Sequence, residues 1–292
     1  MTTIIPVERA VDQVVAVLRN HPAGLFTDID GTISQVARVP SEAFIGESPK
    51  GSLRDIGSAI SIVGIITGRG ATDAATMLGL DGTVVIGNHG YERLQAGERL
   101  IHPSALGSRA SVSTCTNLLL GIVESTPLLA NVVVENKDLS ASVHYRLVED
   151  QGRTVELLRQ LVGAIAELHE LNVSEGKLVF EIRPRSLVNK GTAIHDISIE
   201  LGLAGVVYLG DDVTDVDAFR ALKTLASPEI KTLSVGIVSS ETHAIVRDSA
   251  DLLVDGVDGC VTLLASVAEQ LGALSSQVVP CRGEIGPIER DE

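Results

Sequence analysis

Gly24-Leu25-Phe26-Thr27-Asp28-Ile29-Asp30-Gly31-Thr32 makes the strongest structural statement in this sequence. Residues 24–27 form a short apolar run of the kind that becomes a buried strand. Asp28 and Asp30 follow two residues apart, on the same side while the backbone stays extended. A strand that ends this way carries both carboxylates to its C-terminal edge, where open α/β sheets hold their ligands. Read alone, the pentapeptide 28–32 serves equally as an Asp-Gly turn, so its meaning depends on its company.

Three other stretches keep it company. Ile65-Ile66-Thr67-Gly68-Arg69 is again an apolar run closed by a hydroxyl and a glycine before a helical pattern. A hydroxyl and free backbone N–H groups at a helix start form an anion site without a cation, although Thr-Gly is also an ordinary turn. Asn189-Lys190-Gly191 heads the helical pattern 193–201, where an ammonium can meet a phosphoryl oxygen; a lone lysine is otherwise a solvated one. Leu209-Gly210-Asp211-Asp212-Val213-Thr214-Asp215 sets three carboxylates within five residues after a strand. Acids so close repel unless a hard cation with oxygen ligands sits among them, which favours Mg²⁺ over the plainer reading as helix caps.

The four stretches lie in an alternating chain. Strand-like runs at 24–27, 62–66 and 84–86 are separated by helix-like patterns at 7–18, 52–60 and 71–78. The alternation returns with strands at 205–209, 233–238 and 252–254 and helices at 193–201, 216–222 and 257–271. That is the pattern of βαβ units on a parallel sheet, so the fold class is α/β, with one sheet drawn from both ends of the chain. Between them lies a different texture: helices at 106–124 and 154–171, paired strands at 131–135 and 140–146, and a strand at 177–182. It reads as an inserted α/β module, with Gly97, Pro103, Gly107 and Pro184 as connectors. The expected division is core at 1–104, insertion at 105–183, core again at 184–277 and a tail at 278–292.

Composition narrows the function. The chain has 292 residues, 45% hydrophobic, and a net charge of −15 from 23 Lys and Arg against 38 Asp and Glu. A length near 300 supports about two domains of ~100–200 residues without disulfides. The acidic balance argues against nucleic-acid and anionic-membrane partners, both of which need basic surfaces. Three scattered cysteines, Cys115, Cys260 and Cys281, give neither a disulfide framework nor a thiolate metal site, so a reducing, cytoplasmic setting is expected.

The motifs DIDGT, a threonine closing a strand, a lysine, and GDDVTD, in this order, resemble those of the haloacid dehalogenase superfamily of Mg²⁺-dependent phosphoryl-transfer enzymes. DIDGTISQVARVP, ITGRG, GNHGYE, EIRPRSLVNKG and GDDVTDVDAF resemble more closely the trehalose-6-phosphate phosphatase family within it, from about Gly24 to Leu264. Val216 departs from the glutamate usual in that family. The resemblance implies a haloacid-dehalogenase-like Rossmannoid core with a parallel sheet and an inserted α/β cap of the C2 type. It implies Asp28 as nucleophile and Asp30 as general acid and base, with Thr67, Gly68 and Lys190 holding the phosphoryl group. Mg²⁺ is expected on Asp28, the backbone carbonyl of Asp30 and Asp211, with Asp212 assisting and Asp215 in an outer position or on Lys190.

In this reading the insertion closes over the core and reads the sugar, with hinges near Ser104 and Arg183. Expected readers are Glu135, Lys137, His144, Arg146 and Glu181 on the insertion, and Asn88 and His89, beside Glu92, on the core. Each could equally be an ordinary polar residue of a half-exposed strand or loop. The substrate class is a sugar phosphate, trehalose 6-phosphate first. Another sugar phosphate or a glycosyl-3-phosphoglycerate is the alternative, and a catalytically silent sugar-phosphate-binding regulator a more distant one. The motifs leave the oligomeric state open and are compatible with a monomer.

Overall fold

A computed structural model describes residues 3–240 and 242–277; the expected tail at 278–292, with Cys281, lies outside the described residues. The chain begins with α1 (Val7–Leu18), β1 (Ala23–Thr27), α2 (Glu47–Ala59), β2 (Ile62–Ile66), α3 (Ala71–Leu78) and β3 (Val84–Gly87), alternating as the sequence does. A hairpin of β4 (Glu92–Gln95) and β5 (Glu98–Ile101) follows. Its two-residue turn, Ala96 and Gly97, has φ of 50° and 81°, the left-handed pair that suits strand twist. The insertion comprises α4 (Pro103–Leu106), α5 (Arg109–Ser125), β6 (Val133–Asn136), β7 (Ala141–His144), α6 (Gln151–Leu168), β8 (Leu171–Gly176) and β9 (Val179–Pro184). The chain then returns through α7 (Lys190–Glu200), β10 (Gly205–Gly210), α8 (Asp215–Leu225), β11 (Lys231–Val238), α9 (Ala244–Ser249), β12 (Leu252–Asp255) and α10 (Gly256–Gln277).

The larger sheet has the order β12-β11-β10-β1-β2-β3-β4-β5. Pairing is parallel from β12 to β3 and antiparallel at the β4–β5 edge. Every residue of β1 and β10 is buried, as strands covered on both faces require. Alternate residues point to opposite layers. Leu25, Ile65, Val207 and Leu209 join Val14, Leu53 and Leu263 of α1, α2 and α10. Phe26, Ile66, Val206 and Tyr208 join Ile194, Phe219 and Leu222 of α7 and α8. Because Thr27 pairs with both Leu209 and Ile65, the residues that follow these three strands emerge side by side at one edge.

The insertion is built on a second, antiparallel sheet, β6-β7-β9-β8. Its inner face carries Val134, Val143, Phe180 and Ile182 into a separate core with Leu119 of α5 and Leu158 of α6. Strand alternation leaves Glu135, Ser142 and Glu181 in register on the opposite face, with His144 one step along. Several bounds differ from the sequence reading: the helical pattern 154–171 stops at Leu168 and is followed by the strand 171–176, the pattern 106–124 is divided between α4 and α5, and Lys177 lies in the β8–β9 turn rather than in a strand. Among the described residues no helix is long and apolar enough to cross a membrane.

Candidate active site

The N–H of Asp28 donates to Leu209 O at 2.9 Å, carrying the β1–β10 ladder one residue past the strand. This delivers its carboxylate, 6% exposed, to the head of α7. The Asn189 side chain caps α7 by accepting from the Thr192 N–H, and the Thr192 hydroxyl accepts from the Asn189 N–H, so Lys190 is fixed as the first helical residue. Its Nζ lies 2.7 Å from Asp28 Oδ2 and 2.7 Å from Oδ1 of Asp215, the first residue of α8. Asp215 Oδ1 also accepts the Tyr208 hydroxyl at 2.6 Å, and its Oδ2 accepts the N–H groups of Asp211 and Asp212 at 2.9 Å each. Asp215 therefore sits on Lys190 with both oxygens already serving two donors apiece.

Asp211 completes the acidic group. Thr32 donates its hydroxyl to Oδ1 at 2.9 Å, and Lys177, from the β8–β9 turn, places Nζ 2.5 Å from Oδ2. The contact needs the glycine of the DIDGT turn: Gly31 has φ of 88°, and a Cβ there would fall 2.2 Å from Asp211 Oδ2. Oxygens of Asp28, Asp211 and Asp215 lie within 4.8 Å of one another, all buried. Burial, reinforced by the neighbouring acids and opposed by Lys190, pushes the Asp28 carboxyl up to about 7; burial likewise lifts Asp211 to about 6 against the pull of Lys177. Burial also raises Asp212, which lines the cleft beside them. Asp28 Oδ1 is buried with no hydrogen-bond partner among the described residues. An orphaned carboxylate oxygen among two other buried carboxylates is a donor set that fits a small hard dication such as Mg²⁺.

Around this centre the cleft is lined by Asp28, Asp30, Thr67, Gly68, Lys190, Asp211 and Asp212 from the core. Gly68 must be small because a Cβ would lie 2.7 Å from the His89 ring. The insertion contributes Glu135, Lys137, His144, Arg146 and Glu181, together with Ser142. Lys137 donates to Glu181 Oε2 at 3.0 Å and to the Gly68 carbonyl at 2.9 Å, so one ammonium joins the insertion to the core. Ser142 donates to Glu181 Oε1 at 2.9 Å. Burial alone would raise the Glu181 carboxyl, yet Lys137 and the hydrogen bonds it receives hold it well below the carboxylate range. His144 Nε2 lies 3.2 Å from Glu135, and Arg146 donates to the Lys177 carbonyl at 3.1 Å. His89 is 4% exposed and lines the cleft, with Nε2 3.5 Å from Glu181 Oε2; burial lowers its pKa to about 4, leaving a neutral ring.

Two expected readers stand behind the cleft rather than in it. Asn88 is fully buried: it donates to Glu92 at 2.5 Å and to the Lys137 carbonyl at 3.2 Å, and accepts the Ser140 hydroxyl at 2.5 Å. Glu92, 2% exposed, accepts the Ala71 N–H at 2.8 Å and Arg99 at 2.5 Å. They brace the loop after β3 against the β6–β7 turn. Sequence reasoning gave no role to Arg69 or Lys177, although both line the cleft. Arg69 stands in the ITGRG motif; the signal for Lys177 is the Gly-Lys pair before β9, which marks a hairpin turn at the mouth of the site.

A model of the trehalose-phosphatase family matches residues 26–250 of this sequence. The chain belongs to the trehalose-phosphatase family. It is 30% identical over 230 residues to an uncharacterized glycosyl hydrolase of Mycobacterium tuberculosis, covering 76% of this chain but 17% of the relative. It is also 30% identical over 237 residues to a probable trehalose-phosphate phosphatase of Oryza sativa subsp. japonica, covering 73% of this chain and 64% of the relative. The chain therefore spans less than two thirds of the length of either relative. Among solved structures, the C-terminal domain of a trehalose-6-phosphate phosphatase from C. albicans superposes with a TM-score of 0.75 at 19% identity, over 92% of this chain and 98% of that one. A haloacid dehalogenase-like hydrolase from Bacteroides thetaiotaomicron superposes with a TM-score of 0.55 at 14% identity, over 86% and 99%. At these identities the likeness is one of fold: an α/β core of the haloacid dehalogenase type carrying an inserted cap.

Proposed function

We propose that this chain is a Mg²⁺-dependent phosphatase that hydrolyses trehalose 6-phosphate through an aspartyl-phosphate on Asp28. The observation that carries the reading is Asp28 itself, buried, with one oxygen on Lys190 and the other without a partner among the described residues, inside an acidic group and beneath a polar sheet face that can read a sugar. Mg²⁺ would be held by Asp28, Asp211 and the backbone carbonyl of Asp30, with Asp212 assisting, and would neutralise charge on the phosphoryl oxygens. Lys190 offsets the repulsion between the Asp28 carboxylate and the phosphate dianion. Thr67 and the Gly68 amide hold phosphoryl oxygens. Asp28 forms its bond to phosphorus as the bond to the sugar oxygen breaks, and Asp30 gives that oxygen a proton. Asp30 then takes a proton from the water that attacks phosphorus, and the Asp28–phosphorus bond breaks.

Phosphate release from trehalose 6-phosphate beside sucrose 6-phosphate, glucose 6-phosphate, mannosyl-3-phosphoglycerate and p-nitrophenyl phosphate tests the reading. A Mg²⁺-dependent preference for trehalose 6-phosphate is expected; preference for another ester removes the sugar assignment and keeps the chemistry. The hydrogen-bonded row on the cap gives a second test. Lys137→Met is expected to raise KM for trehalose 6-phosphate about 10-fold or more, the scale of a hydrogen bond to a charged group, while leaving KM for p-nitrophenyl phosphate nearly unchanged. Equal effects on both esters would remove Lys137 from sugar recognition.

The acidic group also predicts how the metal-free protein responds to pH. Asp28 and Asp211 keep protons in the fold up to about pH 7 and 6, where the unfolded chain has released them near pH 4. For such raised carboxyls the unfolded state binds fewer protons in that window, so stability falls as pH rises through it. Mg²⁺ restores the charged form and adds binding free energy, about 2.7 kcal/mol at a hundredfold excess over Kd. Melting with Mg²⁺ or with EDTA at pH 5 and pH 8 should show the larger Mg²⁺-induced rise in Tm at pH 8. An equal rise at both values would contradict this.

A further inference from the structure

We propose that Arg69 is the positioning residue for Asp30: it fixes the carboxylate on which both proton transfers depend. Arg69 Nε donates to Asp30 Oδ2 at 2.6 Å and Nη2 donates to Oδ1 at 2.8 Å, a two-pronged grip on both oxygens. The guanidinium is itself anchored. Nη1 donates to Asp73 Oδ2 at 3.1 Å, and both Nη atoms reach the Pro40 carbonyl at 3.3 Å. Its backbone is tied as well, the N–H to the Thr67 hydroxyl at 3.3 Å and the carbonyl to the Asn88 N–H at 2.7 Å. The Arg69 side chain is 13% exposed, whereas that of Asp30 is 32% exposed at the cleft.

The asymmetry gives the role. Asp30 stands just before a glycine with φ of 88°, and without Arg69 a carboxylate a third exposed at such a turn would be free to change rotamer. A guanidinium fork held by Asp73 and Pro40 restricts it to one place, and a proton donor displaced by about 1 Å can lose about 10²-fold in rate. Lysine lacks the fork and cannot reproduce the grip.

The role rests on the phosphatase reading above, and the two half-reactions separate them. Trehalose is a poor leaving group and needs a proton from Asp30 as its oxygen departs. p-Nitrophenolate leaves without one, so with p-nitrophenyl phosphate only attack of water on the aspartyl-phosphate needs Asp30. In Arg69→Met, kcat on trehalose 6-phosphate should fall about 100-fold with KM changed little. Rapid mixing with p-nitrophenyl phosphate should show a burst of nitrophenolate stoichiometric with enzyme, followed by slow release, because the phosphoenzyme forms and then waits. Arg69→Lys, which keeps the charge and much of the volume, should show the same burst at the wild-type melting temperature, separating positioning from folding. Variants that match wild type, or that lose rate on both esters without a burst, overturn the role of Arg69 while the phosphatase reading stands. A wild-type chain that releases phosphate from none of the esters overturns the phosphatase reading itself, and this role with it.

Discussion

Asp28→Asn will leave a folded, ligand-binding protein that does not turn over. The carboxylate oxygen is the atom that bonds to phosphorus, and an amide cannot take its place, so kcat should fall by at least about 10³-fold, as for other nucleophile replacements. Stability should not fall with it. The wild-type carboxyl is buried beside Asp211 and Asp215, and burial pushes it up to about 7, so the substitution removes one member of a mutually repelling group. The amide oxygen can keep the Lys190 contact now made at 2.7 Å, and its N–H groups can face the acids from the place of Oδ1, which has no partner among the described residues. Lys190 also retains Asp215. The metal-free variant should melt no lower than metal-free wild type, while Mg²⁺ should raise its Tm less, because one charged ligand is gone. Phosphate release, a substrate-binding titration and paired melts measure the three parts. Turnover within about 10-fold of wild type would remove Asp28 as nucleophile.

The sequence and the structure agree most closely where burial leaves little choice. Strands buried on both faces have to read as unbroken apolar runs, which is why 62–66 is read with the bounds the structure has, while the helix 71–78 is bounded by its buried face and by Gly79 at its left-handed C-terminal turn. The acids emerge side by side at the strand ends because Thr27 pairs with Leu209 and Ile65. What escaped was polar and local. The strand Leu171–Gly176 is mostly polar and follows a helix directly, so no apolar run marks it and the sequence reading leaves 172–176 unassigned. The β4–β5 hairpin is written in charged residues around Ala96-Gly97, with one weak turn signal. Arg69 and Lys177 escaped for a different reason: their partners, Asp30 and Asp211, lie 39 and 34 residues away, and only the assembled cleft brings them together. Asn88 looked like a reader because the loop after β3 reaches the site, yet its side chain turns inward to Glu92 and Ser140.

Lys190→Met should damage both stability and catalysis, through one cause. Lys190 is 1% exposed and lies 2.7 Å from each of two buried carboxylates. Removing one partner of a buried ionic group typically costs about 3–5 kcal/mol, because the remaining charge has neither water nor counter-ion. Asp215 cannot easily shed its charge, since Tyr208 and two backbone N–H groups donate to it. Relief must come from Asp28, whose carboxyl is already raised to about 7 by burial and will rise further without the ammonium. The nucleophile is then protonated at neutral pH, so activity is lost together with stability. A carboxyl raised further above its unfolded value makes the penalty greatest at high pH and relieves it as pH falls and Asp28 takes up its proton. At about 2–4 °C per kcal/mol for a domain of this size, Tm at pH 8 should drop by about 10 °C, and by clearly less at pH 5. Pairing the change with Asp215→Asn, which removes the stranded charge, should restore much of the melting temperature and none of the turnover. A single variant that melts with the wild type at pH 8, or a double variant no more stable than the single, would show that the Asp28–Lys190–Asp215 group does not carry the buried charge in this way.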